Sequence, residues 1–297
     1  MRLSEDDLKL IKDNDCQFIS LKYLGEDGML KQLDTYANTV VNSKQHFFNH
    51  NDIKLSAIKN KAFLDPFRSA PTASFFCENM SDRAHHHRRI ADDIYKASRQ
   101  SEEHKVSAEI SFWFAEGNCN NSSLFASDPK DQHANLRSDI MSTLEDIGIQ
   151  TTVHYHGEED LQSVIGIKGS TVIDLADNLV ISKFIIANCS ASYGLNAYFT
   201  LPGKTNINLC LAVEQADIEE KYSRLMARGI KALSFATQLP EYKFEVKKIS
   251  KYMTTEQVAL NVGLETTNHF IPYFALLEFL AHGVDSEAIN KYLASLF

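Results

Sequence analysis

Residues 17–24 read Gln-Phe-Ile-Ser-Leu-Lys-Tyr-Leu, and this stretch decides how the chain begins to fold. Apolar and polar residues alternate along it: Ile19, Ser20, Leu21, Lys22 and Tyr23. A period of two predicts a strand with one buried face and one polar face. Residues 25–28, Gly-Glu-Asp-Gly, are turn formers, and a second strand is predicted from Met29. The sequence therefore predicts a β-hairpin near the start.

The rest of the chain is predicted to be divided between a small β-rich domain and a larger α/β domain. An extended run at Ala73–Cys77 and a helix at Arg88–Ala97 complete the first part. The polar run Ser98–Lys105 is the best candidate boundary, which gives predicted domains of residues 1–103 and 104–297.

The second part alternates predicted strands and helices. The predicted strands are Ala108–Phe114, Ile149–His156, Asn196–Thr200 and Ile207–Val213. One predicted helix carries Leu136, Ile140, Met141, Leu144 and Ile147 at helical spacing before Gly148. Further predicted helices are residues 172–192, Tyr273–His282 and a last one that Asp285 caps. In the strand Ile149–His156, His154 and His156 share a face because side chains alternate.

Composition excludes several classes of protein. A formal net charge of −9 argues against non-specific nucleic-acid binding, which needs clustered lysine and arginine. No run approaches 18 apolar residues, so we expect no membrane partner. The five cysteines are widely spaced and form no CxxC pair, which is typical of reduced thiols in a cytoplasmic protein.

Four segments, taken in chain order, carry a resemblance to a known family. They are Phe18–Tyr23 with Gly28; Asp65-Pro66-Phe67 with Phe76-Cys77; Lys183-Phe-Ile-Ile with Asn188, Gly194, Ala197, Phe199 and Pro202; and Pro272-Tyr273 through Gly283. Together they resemble glutamine synthetase of the bacterial class I type. The resemblance implies an α+β fold, with an N-terminal β-grasp-like domain and a catalytic-type domain built on a curved antiparallel sheet with packed helices.

The resemblance also implies a reaction. Glutamine synthetases are carboxylate–amine ligases of nitrogen metabolism that use ATP and two or three divalent ions, Mg²⁺ or Mn²⁺. Converging carboxylates and histidines hold those ions and offset the phosphate charge. The family assembles into rings, so the resemblance implies a homo-oligomer or a glutamine synthetase-like partner subunit.

Most of the family's metal-binding positions hold other residues here. The family's Glu-Pro-Glu strand matches Ser107–Ser111, where Glu109 replaces the first acid and Ser111 the second; in the other register both acids are lost. The His-rich strand matches His154-Tyr-His156-Gly-Glu158-Glu, with Ile165 near its second acid. Gly157 takes the first acid's place unless the loop slips by one residue and offers Glu158.

Two further family motifs are also replaced. The loop that supplies two histidines matches Lys204–Leu211, with Leu209 and Leu211 in place of the histidines. The ExR strand matches Asn261-Val-Gly263, and residues 214–257 are too few for the usual glutamate-binding flap. We therefore predict that Leu209, Leu211, Asn261 and Gly263 surround the former metal site.

Some residues still carry possible chemistry. His85-His86-His87 is most simply a solvated cluster, because adjacent side chains diverge. His154 and His156 project to one side, and with Glu109 and Glu158 they form the candidate remnant metal site; the alternative is that they line a leftover cavity. No catalytic residue is assigned, since no nucleophile has an adjacent base and no glycine-rich phosphate loop occurs.

Three functions remain open on this sequence. The leading interpretation is a pseudoenzyme that has lost ligase activity and acts as a scaffold, regulatory subunit or binding protein, with no cofactor. The second is an active carboxylate–amine ligase with a rebuilt site, which alone requires ATP with Mg²⁺ or Mn²⁺. The third is a small-molecule sensor that retains the cavity without the metals. An open cavity favours the third over the first.

Overall fold

The computed structural model describes residues 1, 3–25, 27–43, 45–81, 87–97, 106–115, 123–204, 206–214, 243–252, 257–265, 269 and 273. Only the backbone is described for residues 87, 90, 93, 94, 97, 211–214, 243–252, 257–262 and 265. Two compact units divide the chain, Met1–Ile90 and Ala91–Phe297. The division lies inside a helix that precedes the predicted boundary, Ser98–Lys105. That boundary lies outside the described residues, as do His85, His86 and both predicted C-terminal helices except Tyr273.

The first unit is built on a five-stranded mixed sheet. Its elements are α1 (Glu5–Asp13), β1 (Phe18–Leu24), β2 (Leu30–Tyr36), α2 (Ala37–Val41), β3 (Phe48–His50), β4 (Ile53–Leu64) and β5 (Thr72–Asn79). The strand order is β2-β1-β5-β4-β3, with β1 parallel to β5 and the other pairs antiparallel. The β1–β2 pair is the predicted hairpin, and Gly28 adopts the left-handed conformation that its turn requires.

One face of this sheet carries the core of the unit, and the opposite face is also buried along β1. Ile19, Leu21 and Tyr23 pack in the core, as their spacing predicts. The prediction of a solvated opposite face is wrong for β1, because Ser20 and Lys22 are buried as well. Lys22 Nζ pairs with Asp65 Oδ2 at 3.3 Å, so a buried charge is compensated rather than hydrated.

The second unit is built on a seven-stranded antiparallel sheet. Helix α3 (His87–Ala97) crosses the division between the units. The elements that follow are β6 (Val106–Phe114), α4 (Ala134–Asp146), β7 (Thr151–His156), β8 (Gln162–Gly169), α5 (Val172–Ser192), β9 (Ala197–Tyr198), β10 (Ile207–Glu214), β11 (Lys243–Tyr252) and β12 (Gln257–Glu265). The strand order is β11-β12-β10-β6-β8-β7, and β9 pairs with β6. The antiparallel sheet confirms the predicted fold class.

Two helices cover one side of this second sheet. Helix α5 packs on β6 and β8, and α4 packs on β7 and on α5. The Thr171 side chain caps the N-terminus of α5 by accepting a hydrogen bond from Asp174 N–H at 3.0 Å. Gly148 follows α4 and adopts the left-handed conformation, with a φ of +87°. We call the covered side the helix face; it presents Ile110, Ile165 and Leu209, all fully buried. The opposite side, which presents Glu109, is the open face.

Within the described ranges, no helix is both long enough and apolar enough to cross a membrane.

Candidate functional site

Strand register places three rows of side chains on the open face, because directly paired residues of an antiparallel sheet project to the same side. The first row is Gly166, Glu109, Asn208 and Gly263, on β8, β6, β10 and β12. The second row is Tyr155, Val164 and Ser111. The third row is Gln162, Trp113 and Tyr198. The first row continues to Glu245 on β11, which pairs with Gly263 and of which only the backbone is described, so Glu109 is the one acid of these rows whose side chain is described.

Glu109 is held by a tyrosine. The Tyr155 hydroxyl donates to Glu109 Oε2 at 3.0 Å across the open face. Burial, and then the negative charge of Glu109, raises the pKa of Tyr155, and the more distant charge of Glu158 acts in the same direction. The phenol therefore stays protonated and remains a hydrogen-bond donor at neutral pH.

An exposed aromatic ring adjoins this pair. The Phe125 and Tyr155 rings lie 5.0 Å apart between centroids in an edge-on arrangement. The Phe125 backbone N–H donates to the His156 carbonyl oxygen at 3.0 Å, which fixes the loop to the end of β7. Phe125 has a φ of +61°, unfavourable for a side chain of its size, and its ring remains 67% exposed.

The helix face carries a separate, buried polar cluster around Arg137. The guanidinium makes a two-point contact with the Asp131 carboxylate and donates to Ser163 Oγ at 3.2 Å. Its Nε donates to His154 Nδ1 at 3.3 Å, and His154 Nε2 lies 3.2 Å from Ser138 Oγ. A neutral imidazole protonated at Nε2 satisfies both contacts.

Charge and burial determine how this cluster titrates. Burial would raise the pKa of Asp131, but the hydrogen bonds and charge of Arg137 outweigh it and hold that pKa below its usual value. Burial, followed by the positive charge of Arg137, lowers the pKa of His133 and of His154. The histidines are therefore neutral near pH 7.

The structure does not bring the four predicted metal ligands together. Glu109 lies on the open face with Tyr155, whereas His154 and His156 project to the helix face. Glu158 is exposed, and its charge reaches the Tyr155 phenol rather than the histidines. His154 is occupied as an acceptor for Arg137, and a guanidinium at that distance repels a bound cation.

The strand register also corrects which residues occupy two of the family's metal-binding positions. Leu209 pairs with Ala108 and is buried on the helix face, so Asn208 is the β10 residue beside Glu109. Ile165 likewise faces the helices, and Val164 takes the position on the open face. Gly263 lies in the Glu109 row as predicted. The side chains of Leu211 and Asn261 are outside the described part.

The open face does not fit the divalent ions that the family resemblance implies. Mg²⁺ requires near-octahedral coordination, commonly by carboxylates and water. Around Glu109 the three rows present serine, valine, asparagine and glycine, and Glu109 itself is bonded to Tyr155. Nowhere in the described ranges do three or more histidine, cysteine, aspartate or glutamate side chains group so that they could hold a metal ion.

Sequence reasoning missed three residues that define these clusters. Alternation predicts that Tyr155 lies opposite His154 and His156, but Tyr155 is not among the predicted site residues, and the structure places it on the Glu109 side. Trp113 is not among the predicted site residues; it is buried, and its row belongs to the open face. Arg137 directly follows Leu136 in α4 and is not one of the apolar residues at helical spacing. The sequence pattern therefore did not predict that Arg137 is buried.

Comparison with known proteins supports a relation to one family. Residues 83–205 match the profile of the glutamine synthetase catalytic domain. The chain is 22% identical over 253 residues to a glutamine synthetase of Methylococcus capsulatus, an alignment that covers 66% of this chain and 54% of that protein. It is 24% identical over 252 residues to a 3-hydroxylaminophenol mutase of Cupriavidus pinatubonensis, covering 65% and 54%. The chain thus spans about half the length of the curated relatives it matches.

Solved structures extend the likeness of fold over nearly the whole chain. The glutamine synthetase of Plasmodium falciparum matches with a TM-score of 0.72 at 12% identity, covering 97% of this chain and 76% of that one. The ADP complex of GmaS matches with a TM-score of 0.72 at 12% identity, covering 97% and 82%. The fold is therefore that of glutamine synthetases, and residues 83–205 are similar in sequence to their catalytic domain.

Proposed function

We propose that this chain is a glutamine synthetase-family protein without metal-dependent ligase activity, and that it binds a small molecule on its open face. One observation carries the proposal: on β8, β6, β10 and β12, Glu109 is the single acid of its row, beside Asn208 and Gly263. A ligase that activates a carboxylate with ATP needs several acids to hold its ions.

The alternative ligase, with a rebuilt site, is disfavoured by geometry. It would use Glu109, His154, His156 and Glu158, but the histidines and Glu109 lie on opposite sides of the sheet. A single ion cannot be ligated through a closely packed sheet.

An open face supports ligand binding over a purely structural role. Glu109, Asn208 and Tyr155 are each partly exposed, and Val153 beside them is 41% exposed. Apolar side chains filling the former site would have buried these groups. The polar groups therefore remain available to a ligand.

The names of the relatives do not indicate a single reaction for this chain. The glutamine synthetases and the 3-hydroxylaminophenol mutase match this chain at 22% and 24% identity over similar lengths. The mutase name denotes an isomerisation of an aromatic hydroxylamine, so members of similar sequence carry different activities. We further propose assembly as a homo-oligomer or with a glutamine synthetase-like subunit, which sedimentation equilibrium and copurification would test.

The ligase question is settled by purified protein from a host lacking its own glutamine synthetase. We expect no hydrolysis of ATP, and no product with ammonia or hydroxylamine, when glutamate and Mg²⁺ or Mn²⁺ are supplied. Thermal unfolding should be the same with millimolar metal as with chelator. Glutamate-stimulated, metal-dependent hydrolysis that Glu109→Ala abolishes would establish the ligase and overturn the proposal.

A further inference from the structure

We propose that the ligand of the open face is an organic cation that carries a neutral oxygen acceptor, such as an aryl-alkyl amine with a hydroxyl group. Its nitrogen would bind at Glu109 and Tyr155, and its apolar body beside Phe125. The inference rests on the proposed function, since it names the ligand class of the same face.

Charge favours a cation over an anion at this place. Glu109 gives one carboxylate oxygen to the Tyr155 hydroxyl, which leaves the second oxygen, Oε1, to accept from a ligand. Glu158 adds a second negative charge near the same phenol. An anion would meet two carboxylates here.

The basic residues nearby do not neutralise the negative charge around Glu109. Lys168 lies on the same side of β8, but it pairs with Ser107, beyond Glu109, and its charge acts on Glu145. Lys204 forms an ion pair with Glu159. Among the described residues of this region, neither cation compensates Glu109.

The exposed aromatic ring suits the apolar body of such a ligand. Phe125 stands against Tyr155 at 5.0 Å between centroids, with two-thirds of its surface exposed. Ring faces attract organic cations, and the attraction strengthens when water is excluded. The hydrogen bond from Phe125 N–H to His156 O holds this ring beside Tyr155, the donor to Glu109, before any ligand arrives.

A second, independent observation calls for an acceptor. Trp113 is 5% exposed, and its indole Nε1 is buried with no hydrogen-bond partner in the described part of the chain. Its row on the open face adjoins the row of Tyr155 and Ser111. A buried donor left unpaired is costly, and a ligand hydroxyl or carbonyl would satisfy it.

Four small probes of similar size separate these requirements. Tyramine has an ammonium and a hydroxyl group, phenethylamine only the ammonium, 4-ethylphenol only the hydroxyl, and 3-(4-hydroxyphenyl)propionate an anion with the hydroxyl. Trp113 is the only tryptophan of the chain and reports binding by fluorescence. Titration calorimetry measures the Kd independently. We expect tyramine to bind most tightly, phenethylamine more weakly, and the neutral and anionic probes not at all.

Variants assign the binding to the proposed groups. Glu109→Gln should weaken tyramine binding by about tenfold or more, because the charge is lost at nearly constant shape. Phe125→Leu should weaken it by about three- to fivefold, and Phe125→Tyr should restore it. Tyr36→Leu is the matched control, since Tyr36 is also 67% exposed but belongs to the first unit. Circular dichroism and melting temperature confirm that each variant is folded.

The failures of the two proposals are distinguishable. Metal-dependent ATP hydrolysis would overturn the proposed function, whatever the amines do. If hydrolysis is absent and the anionic probe binds in preference, or none of the four probes binds, the organic-cation assignment is refuted. Tyramine binding that is unchanged in Glu109→Gln refutes it as well.

Discussion

Replacing Arg137 by methionine should destabilise the second unit far more than the loss of an ordinary surface charge. The Arg137 side chain is 1% exposed and that of Asp131 is 5% exposed, so their ion pair is shielded from solvent. The substitution keeps a long apolar side chain in α4 but removes the guanidinium. Asp131 then retains only the His133 backbone N–H, at 3.1 Å, as a described hydrogen-bond donor.

The expected cost follows from what the change leaves behind. Removing one partner of a buried ion pair costs about 3–5 kcal/mol, because the remaining charge is buried without compensation. Losing the bonds to Ser163 and His154 acts in the same direction. For a unit of this size, the loss corresponds to a melting temperature lower by roughly 6–20 °C.

Urea unfolding followed by Trp113 fluorescence measures this loss, since Trp113 lies in the same unit. Lys204→Met is the matched control: the Lys204–Glu159 pair is 45% and 38% exposed and should contribute less than about 1 kcal/mol. The double variant Arg137→Met with Asp131→Leu should recover much of the stability, because no charge is left unpaired. Equal, small losses in Arg137→Met and Lys204→Met would refute the reasoning.

Three further outcomes are expected. Lys22→Met should cost about 3 kcal/mol, against less than about 1 kcal/mol for Lys31→Met in its exposed pair, measured by hydrogen exchange of the first sheet; equal effects would contradict the buried pair. Lys183→Met should raise the melting temperature by several degrees, because burial lowers the pKa of Lys183 to about 8 and its ammonium has no described hydrogen-bond partner; a fall would contradict this. Burial lowers the pKa of His133 and His154, so these residues bind protons more readily in the unfolded chain than in the folded one. The free energy of unfolding should therefore decrease as the pH falls below about 6.5. A free energy of unfolding that stays constant from pH 7.5 to about 5.5 would refute this expectation.

Periodicity predicted several elements, because it depends on which side chains share a surface, although it gave no prediction for β4 or β8. The alternation at Ile19, Leu21 and Tyr23 located β1 and its core face. The spacing of Leu136, Ile140 and Leu144 located α4, and all three are buried. Such patterns indicate which side of a strand or helix is buried. They can be read from neighbouring residues in the sequence, without knowledge of the tertiary structure.

The same patterns could not reveal what covers the second side or where neighbouring strands align. Lys22 looked solvated because a lysine on the polar side of a strand usually is; Asp65, distant in sequence, makes its burial tolerable. Leu209 and Asn208 differ by one position, and a shift of one residue moves a side chain to the other face. Only the pairing of Asn208 with Glu109 decides between them.

The two faces of the second sheet are under different physical constraints, and these make the proposed loss of ligase chemistry compatible with the shared fold. On the helix face, Ile110, Ile165 and Leu209 are fully buried, and each contributes roughly 1.5–3 kcal/mol through burial. Changes there threaten folding. On the open face, Asn208 and Gly263 stand beside Glu109, where clustered acids repel one another unless ions bind. Replacing such acids removes repulsion without creating a cavity, so the open face can exchange an ion site for a different ligand while the helix face preserves the fold.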